Sequence, residues 1–415
     1  MDEPHDPLQC VKQLRQTLAA DKLSIGFFLG AGCPCAIRVP RDGSDGSDPL
    51  IPDIDGLTQI VAAEIESSEK HQEPFARLRR ILSEDGYAAP NVEKLLSCIR
   101  SLREAAGNGE VRGLNAKNLD ELDKEVCRAI SARVTRDLPT ETTPYHSLAR
   151  LVGGYRVPSP EIFTTNYDLL AEQALESLRV PFFDGFVGSS QPFFDQRAIE
   201  DDKAEDAKQR LPDRWCRLWK LHGSVNWRFN SGTRAITRSR ETGDGEELLI
   251  HPSQRKYDES RRRPYSVMID RLKEFVRNKK EPVTLLAVGH SFSDDHLNET
   301  IGESLRANSS AVCLALQYGK LSQYPAAAEL ARSEPNFWLL ASDAAIIRRR
   351  EAEWVAKPTA EAAAFGGAFE FVEPDTSGDK KATDEPRPCR FRLGHFNHFG
   401  DFVEEFSRPP VGGHI

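Results

Sequence analysis

Two short stretches constrain this chain more than any others: EIFTTNYD, ending at Asp168, and WKLHGSVNW, which carries His222. In the first, an apolar run from Glu161 to Thr165 predicts a buried strand that breaks into the polar corner Asn166-Tyr167-Asp168. The second repeats the pattern, with Trp219-Lys220-Leu221 leading into His222-Gly223-Ser224. Buried strands that end in an amide, a carboxylate and an imidazole fit an open α/β sheet, where ligands bind outside the carboxyl ends of the strands. Taken singly, each residue has a plainer reading: an Asn after a strand is a turn former, and a His before Gly is a capped or solvated histidine.

A third strand tips the balance. Ser24 to Leu29 is apolar and breaks into Gly30-Ala31-Gly32, with Pro34 at a position suited to the first turn of a helix. Such a turn lets backbone N–H groups approach a diphosphate, and a following helix N-terminus adds favourable partial charge, although most isolated Gly-x-Gly turns are only tight turns. Val283 to Gly289, Ala311 to Gln317 and Phe337 to Ala341 read as further strands. From about Ile60 to Arg136 the apolar residues recur at three- and four-residue spacings, which predicts a block of amphipathic helices. The charged stretch from about Phe186 to Arg214 reads as a loop with some helix. Between about residues 372 and 388 the composition is that of a linker, and the aromatic segment from Phe391 to Phe406 must dock on something. His395 and His398 share a helical face there, a spacing that fits surface packing better than metal ligation.

Composition excludes several classes. The hydrophobic fraction is 39% and no apolar run reaches the length of a bilayer span, so no membrane association is expected. The start, MDEPHDPLQC, is acidic and unlike a secretory signal, which together with scattered cysteines suggests a cytoplasmic protein with reduced thiols. Cys33-Pro-Cys35 has no further Cys or His nearby to complete a metal site, and Asp294-Asp295-His296 lacks the cluster a nuclease metal needs. A net charge of −9 argues against direct nucleic-acid binding, and the local clusters Arg261-Arg262-Arg263 and Arg348-Arg349-Arg350 suit solvated faces or subunit contacts.

In order and spacing, GAG at residue 30, IPD at 51–53, TTNYD at 164–168, LHGS at 221–224 and GHSFSDD at 289–295 resemble the sirtuin family, over roughly residues 20–345. The longer runs FTTNYDLLAEQALE, DGFVG, KLHGSVNW, IHPSQRKY and GHSFSDDHLNETI are more similar to sirtuin-like NAD-cleaving subunits of bacterial anti-phage systems. Among these, size and tail look most like the partner of a HerA-type ATPase. The resemblance implies a Rossmann-like parallel α/β sheet with an inserted helical subdomain and a C-terminal tail. Its parts would be residues 1–59 and 146–350 for the sheet domain, 60–145 for the insertion, and 351–415 for a linker and docking segment.

It also implies NAD+ as the substrate. Nicotinamide leaves NAD+ as a neutral molecule from a cationic ring, so cleavage requires a fixed ribose, a stabilised oxocarbenium-like transition state and a nucleophile more than a strong acid. Asn166 could bind a ribose hydroxyl and hold the attacking water, His222 could act as base, and Asp168 could orient the site or simply cap the next helix. Gly30, Ala31, Gly32 and Cys33 would carry the diphosphate, with Thr165 beside them. Gly289, His290, Ser291 and Asp294 or Asp295 would face the adenosine ribose, and Asp53 the nicotinamide end or its own turn. Departures matter too. The chain has no CxxC pair, so the structural zinc of deacylases is not expected, and Ile54-Asp55 stands where deacylases carry Phe-Arg after the IPD. Both changes favour hydrolysis over acyl transfer. A deacylase or a non-catalytic sensor of NAD+ or ADP-ribose are the alternatives. Because a free NAD+-destroying enzyme would harm its host, a homo-oligomer controlled by the ATPase is expected.

Overall fold

The computed structural model describes residues 3–20, 22–41, 43, 45–154, 158–201, 211–230, 232–239, 246–250, 259–372 and 385–406. Most of the IHPSQRKY run, residues 373–384 of the expected linker, and the side chains of Arg261, Arg262 and Arg263 lie outside the described residues.

The chain is an α/β protein built on one Rossmann-like sheet. Its nine strands are β1 (Ser24–Leu29), β2 (Glu161–Thr164), β3 (Phe182–Phe183), β4 (Cys216–Lys220), β5 (Val283–Val288), β6 (Ala311–Leu316), β7 (Phe337–Leu340), β8 (Ala344–Ile347) and β9 (Arg350–Glu353). They lie in the order β9-β8-β7-β6-β5-β1-β2-β4-β3. Pairings from β7 through β3 are all parallel, and only the β7-β8-β9 edge is antiparallel. β1 and β5 are buried at every position, as expected of central parallel strands covered on both faces. The chain leaves β1 toward β2 on one side and later returns to place β5 on the other. The crevice between the carboxyl ends of β1 and β5 is therefore the topological switch point, where open α/β sheets bind ligands.

The helices that position the site are α1 (Pro7–Ala19), α2 (Ile54–Glu66), α3 (Gln72–Glu84), α4 (Val92–Ala106), α5 (Ala116–Val134), α6 (Pro144–Gly153), α7 (Leu170–Ser177), α8 (Asp295–Ala307) and α9 (Phe396–Glu404). The helices α2 to α5 fill the connection from β1 to β2, where the periodicity predicts them. Leu78, Ile81, Leu96, Ile99, Leu122 and Ile130 are all within 0% exposure and form their common core. Between β3 and α8 a second sheet of five strands forms, with Phe186–Val187 and Phe193–Phe194 among them, in the stretch read from sequence as a loop. The short runs there carry aromatic pairs, Phe186 with Phe194 and Trp227, rather than the period-two alternation that identifies a strand.

The aromatic tail docks on its own domain. Phe396 packs edge-to-face on Tyr145 with centroids 5.0 Å apart, and Phe399 meets Phe27 of β1 at 6.2 Å. A Cβ on Gly400 would lie 2.6 Å from the Pro144 ring, so only glycine lets α9 pack this closely on α6. No described helix is long and apolar enough to cross a membrane.

Candidate active site

A cavity of about 710 Å³ opens at the switch point, a size typical of small-molecule and cofactor sites. Ala31 and Gly32 from the turn after β1 line it, with Thr165 after β2, His222 after β4, and Gly289, His290, Ser291 and Asp294 after β5. Asp53 at the start of α2 completes the sequence-derived residues on its wall. Gly30, Cys33, Asn166 and Asp168 do not line it.

The glycines are required by each other. A Cβ on Gly30 would sit 2.4 Å from the carbonyl oxygen of Gly289, and one on Gly289 would sit 2.6 Å from the Cys33 nitrogen. Gly289 also has φ +66°, a region that side chains rarely adopt. The two turns thus cross backbone on backbone. The N–H groups of Gly32 and Cys33 are engaged within this crossing, donating to Gly289 O at 2.8 Å and Gly30 O at 3.0 Å. The Cys33 thiol is buried, donates to Val288 O at 3.3 Å, and is pushed up well beyond its usual range by burial. It is a packing residue.

Asn166 donates through Nδ2 to Gly30 O at 3.1 Å, which ties the TTN corner to the glycine turn. The Thr164 hydroxyl donates to Leu29 O at 2.9 Å and accepts from Asn166 N at 3.0 Å, so the corner's geometry is set by the strand end itself. Asp168 is buried, accepts from Leu170 N at 3.0 Å at the start of α7, and has its carbonyl bonded by Lys220, which also pairs with Glu172 at 3.0 Å. Burial raises the Asp168 carboxyl to about 6, an effect that Lys220 only partly offsets. In this position Asp168 bonds the Leu170 N–H at the start of α7 and joins β2 to β4 through Lys220, and it does not line the cavity. Asp53 faces the cavity and also caps α2, accepting from Gly56 N at 2.8 Å.

His222 is the centre of the site. It is 3% exposed, with Nε2 at 3.1 Å from Asp294 Oδ2 and Nδ1 at 3.3 Å from Glu93 Oε1. Burial alone lowers its affinity for a proton, but the two carboxylates outweigh burial and raise its pKa to about 9. Asp294 is held far below the usual carboxylate range; burial opposes this, and the bond with His222 overcomes it. It keeps its place through its other oxygen, which accepts from His296 N and Leu297 N as the cap of α8. His290 responds the other way. Packed edge-on against Phe28 and Phe292 with its Nε2 unpartnered, it is lowered to about 4 by burial and by the charge on His222.

Glu93 lies in none of the sequence motifs. It belongs to the first turn of α4, where an acidic residue reads as an ordinary complement to the helix dipole. The tail is the other unforeseen contributor. Gly394, His395 and Phe396 line the cavity, His395 packs on Tyr318 at 5.3 Å, and a Cβ on Gly394 would lie 2.0 Å from Gln317 O. Among the described residues no group of three or more His, Cys, Asp and Glu is placed to hold a metal ion.

The family model described as a SIR2-like domain matches residues 160–351. That span carries the Thr165, His222, Gly289–Ser291 and Asp294 parts of the cavity wall and leaves out the Gly30 turn and the α2–α5 helices. No curated protein sequence matches the chain. Among solved structures, a Sir2 homologue in complex with 2'-O-acetyl ADP ribose aligns over 76% of this chain and 84% of its own, at 11% identity and a TM-score of 0.30.

Proposed function

We propose that this chain is an NAD+ glycohydrolase, releasing nicotinamide and ADP-ribose. The observation that carries the reading is the position of His222, held between two carboxylates, on the wall of a cavity at the β1/β5 switch point within the span similar to SIR2-like domains. The cavity suits NAD+ in its size and in the acidic rim of Asp53, Asp55, Glu93 and Asp294, which would face a cationic ring.

In the proposed reaction the bond from the ribose C1' to the nicotinamide nitrogen breaks, and its electron pair leaves with neutral nicotinamide. The carboxylate of Asp294 stabilises the positive charge that develops on the ribose. Asn166, bonded to Gly30 O, fixes the turn against which the dinucleotide lies. Water adds at C1', and its proton passes to His222 after the imidazole has released to solvent the proton it holds in this arrangement.

A protein deacylase is the second reading. Ile54 and Asp55 line the cavity where deacylases carry Phe-Arg, which supports water rather than an acyl group as the acceptor. The proposal extends to depletion of NAD+ in anti-phage defence together with a HerA-type ATPase, supported by the long sequence runs that resemble such subunits. Incubating the purified chain with NAD+ and measuring free nicotinamide, with and without an acylated peptide, tests the activity. Peptide-independent release is expected. Release only with peptide would establish a deacylase instead, and tight NAD+ binding without release by chain and partner together a sensor.

A further inference from the structure

His222 is bracketed from two directions by elements of different origin. Asp294 reaches its Nε2 from the loop after β5 and is fixed to the sheet domain as the cap of α8. Glu93 reaches its Nδ1 from the inserted helices. The same Glu93 oxygen accepts from the Tyr167 hydroxyl at 2.9 Å, so the carboxylate spans the TTNYD corner and the imidazole together. What holds Glu93 there belongs to the insertion. Asn91 caps α4 by accepting from Lys94 N at 2.9 Å, and Val92 N donates at 3.0 Å to the Thr58 hydroxyl of α2. The first turns of α2 and α4 both rim the cavity, through Asp53, Ile54, Asn91 and Glu93.

We propose that Glu93 is a positioning residue through which the inserted helices fix His222 between two carboxylates, so that displacing these helices frees the imidazole to act as the base. The geometry stands by itself; its catalytic consequence rests on the NAD+-cleaving reading given above. The groups that face His222 include Glu93 from α4, Asp294 before α8 and His290 after β5, with Tyr167 behind Glu93 and Arg100 and Tyr265 influencing Tyr167 farther out. His290 opposes the proton on His222, and the two carboxylates favour it. Removing Glu93 takes away one of the two, so the imidazole loses its proton at lower pH. Each unit of that fall raises the neutral fraction of His222 at pH 7 about tenfold. A contact made anywhere on the α2–α5 block by a second subunit or a partner would then reach the base without touching it.

Glu93→Gln in the full-length chain tests this by two measurements: the pH dependence of nicotinamide release, and the titration of the His222 imidazole by NMR on histidine-labelled protein, assigned with His222→Gln. In the wild type, activity that needs a neutral imidazole rises through about pH 9. In Glu93→Gln the rising limb and the NMR titration should both move down by about one pH unit, with about tenfold more release at pH 7. Glu93→Asp should bring the titration part of the way back. An unmoved His222 titration overturns the proposal, as does a uniform loss of release at every pH with the limb in place, which is the mark of a purely structural residue. If the titration moves and neither protein releases nicotinamide at any pH, the assignment of Glu93 holds and the NAD+-cleaving reading falls.

Discussion

Asn166 and His222 share the ends of neighbouring strands yet face different problems. The amide of Asn166 is tied to Gly30 O, so Asn166→Ala removes a polar group and also loosens the glycine turn. Loss of a positioned polar group at a transition state costs about 10²–10³ in rate, and loss of a general base about 10²–10⁴. Both Asn166→Ala and His222→Ala should therefore nearly abolish nicotinamide release, measured beside circular dichroism to confirm folding; normal turnover in either would remove that residue from the mechanism. His222→Ala should also lower the thermal midpoint more, because it leaves Glu93 and Asp294 facing each other without the cation between them. The two motif residues were legible because a polar residue straight after a buried strand is conspicuous. Glu93 was not, since acids in the first turn of an amphipathic helix are commonplace and nothing in its neighbours' spacing points toward residue 222. The glycines were legible as a close backbone approach, but the approach the structure shows is between Gly30 and Gly289, across more than half of the chain.

At the scale of elements, the tail illustrates what periodicity conveys and what it omits. Aromatic residues at helical spacing from Phe391 onward say that a face is buried; they do not say against what. The structure supplies the partner: Phe396 and Phe399, each 1% exposed, close over Tyr145 and Phe27. Removing a buried phenyl group costs about 3–5 kcal/mol through lost burial and the cavity left behind. Phe399→Ala should lose about that much in denaturant unfolding, although it lies far along the chain from the sheet it covers. A loss below about 1 kcal/mol would mean that α9 is not docked here in solution. The strands β1, β2, β5, β6 and β7 fall within a residue of the sequence reading because fully buried parallel strands are uniformly apolar, whereas β4 starts at Cys216, three residues before Trp219. The small second sheet escapes that reading, because its strands of two to eight residues break their alternation with Arg, Asn and Gly.

For the whole molecule, the internal docking of α9 alters the case for assembly. The aromatic tail is not a surface left free for subunit contacts, since its apolar face is buried on α6 and β1. Two others remain: the α2–α5 block, and the β8–β9 hairpin, whose Arg348 and Arg349 take positive φ angles of 51° and 68°. A two-residue hairpin turn of this hand favours Asn and Gly, so arginines there bear strain that a partner's acidic surface would justify. Tyr87, 44% exposed beside the insertion's α3–α4 turn, adds an apolar contact to that block. An enzyme that removes NAD+ must stay quiet until needed, and His222 fixed between two carboxylates by the insertion describes a quiet state. The chain should therefore form a homo-oligomer through these surfaces, bind a HerA-type hexameric ATPase, and release nicotinamide faster in that complex. Light scattering with and without the ATPase, combined with the nicotinamide assay, measures all three. A monomer that is fully active alone and indifferent to the ATPase would leave the insertion with no partner to answer to, and the regulatory reading would fail with it.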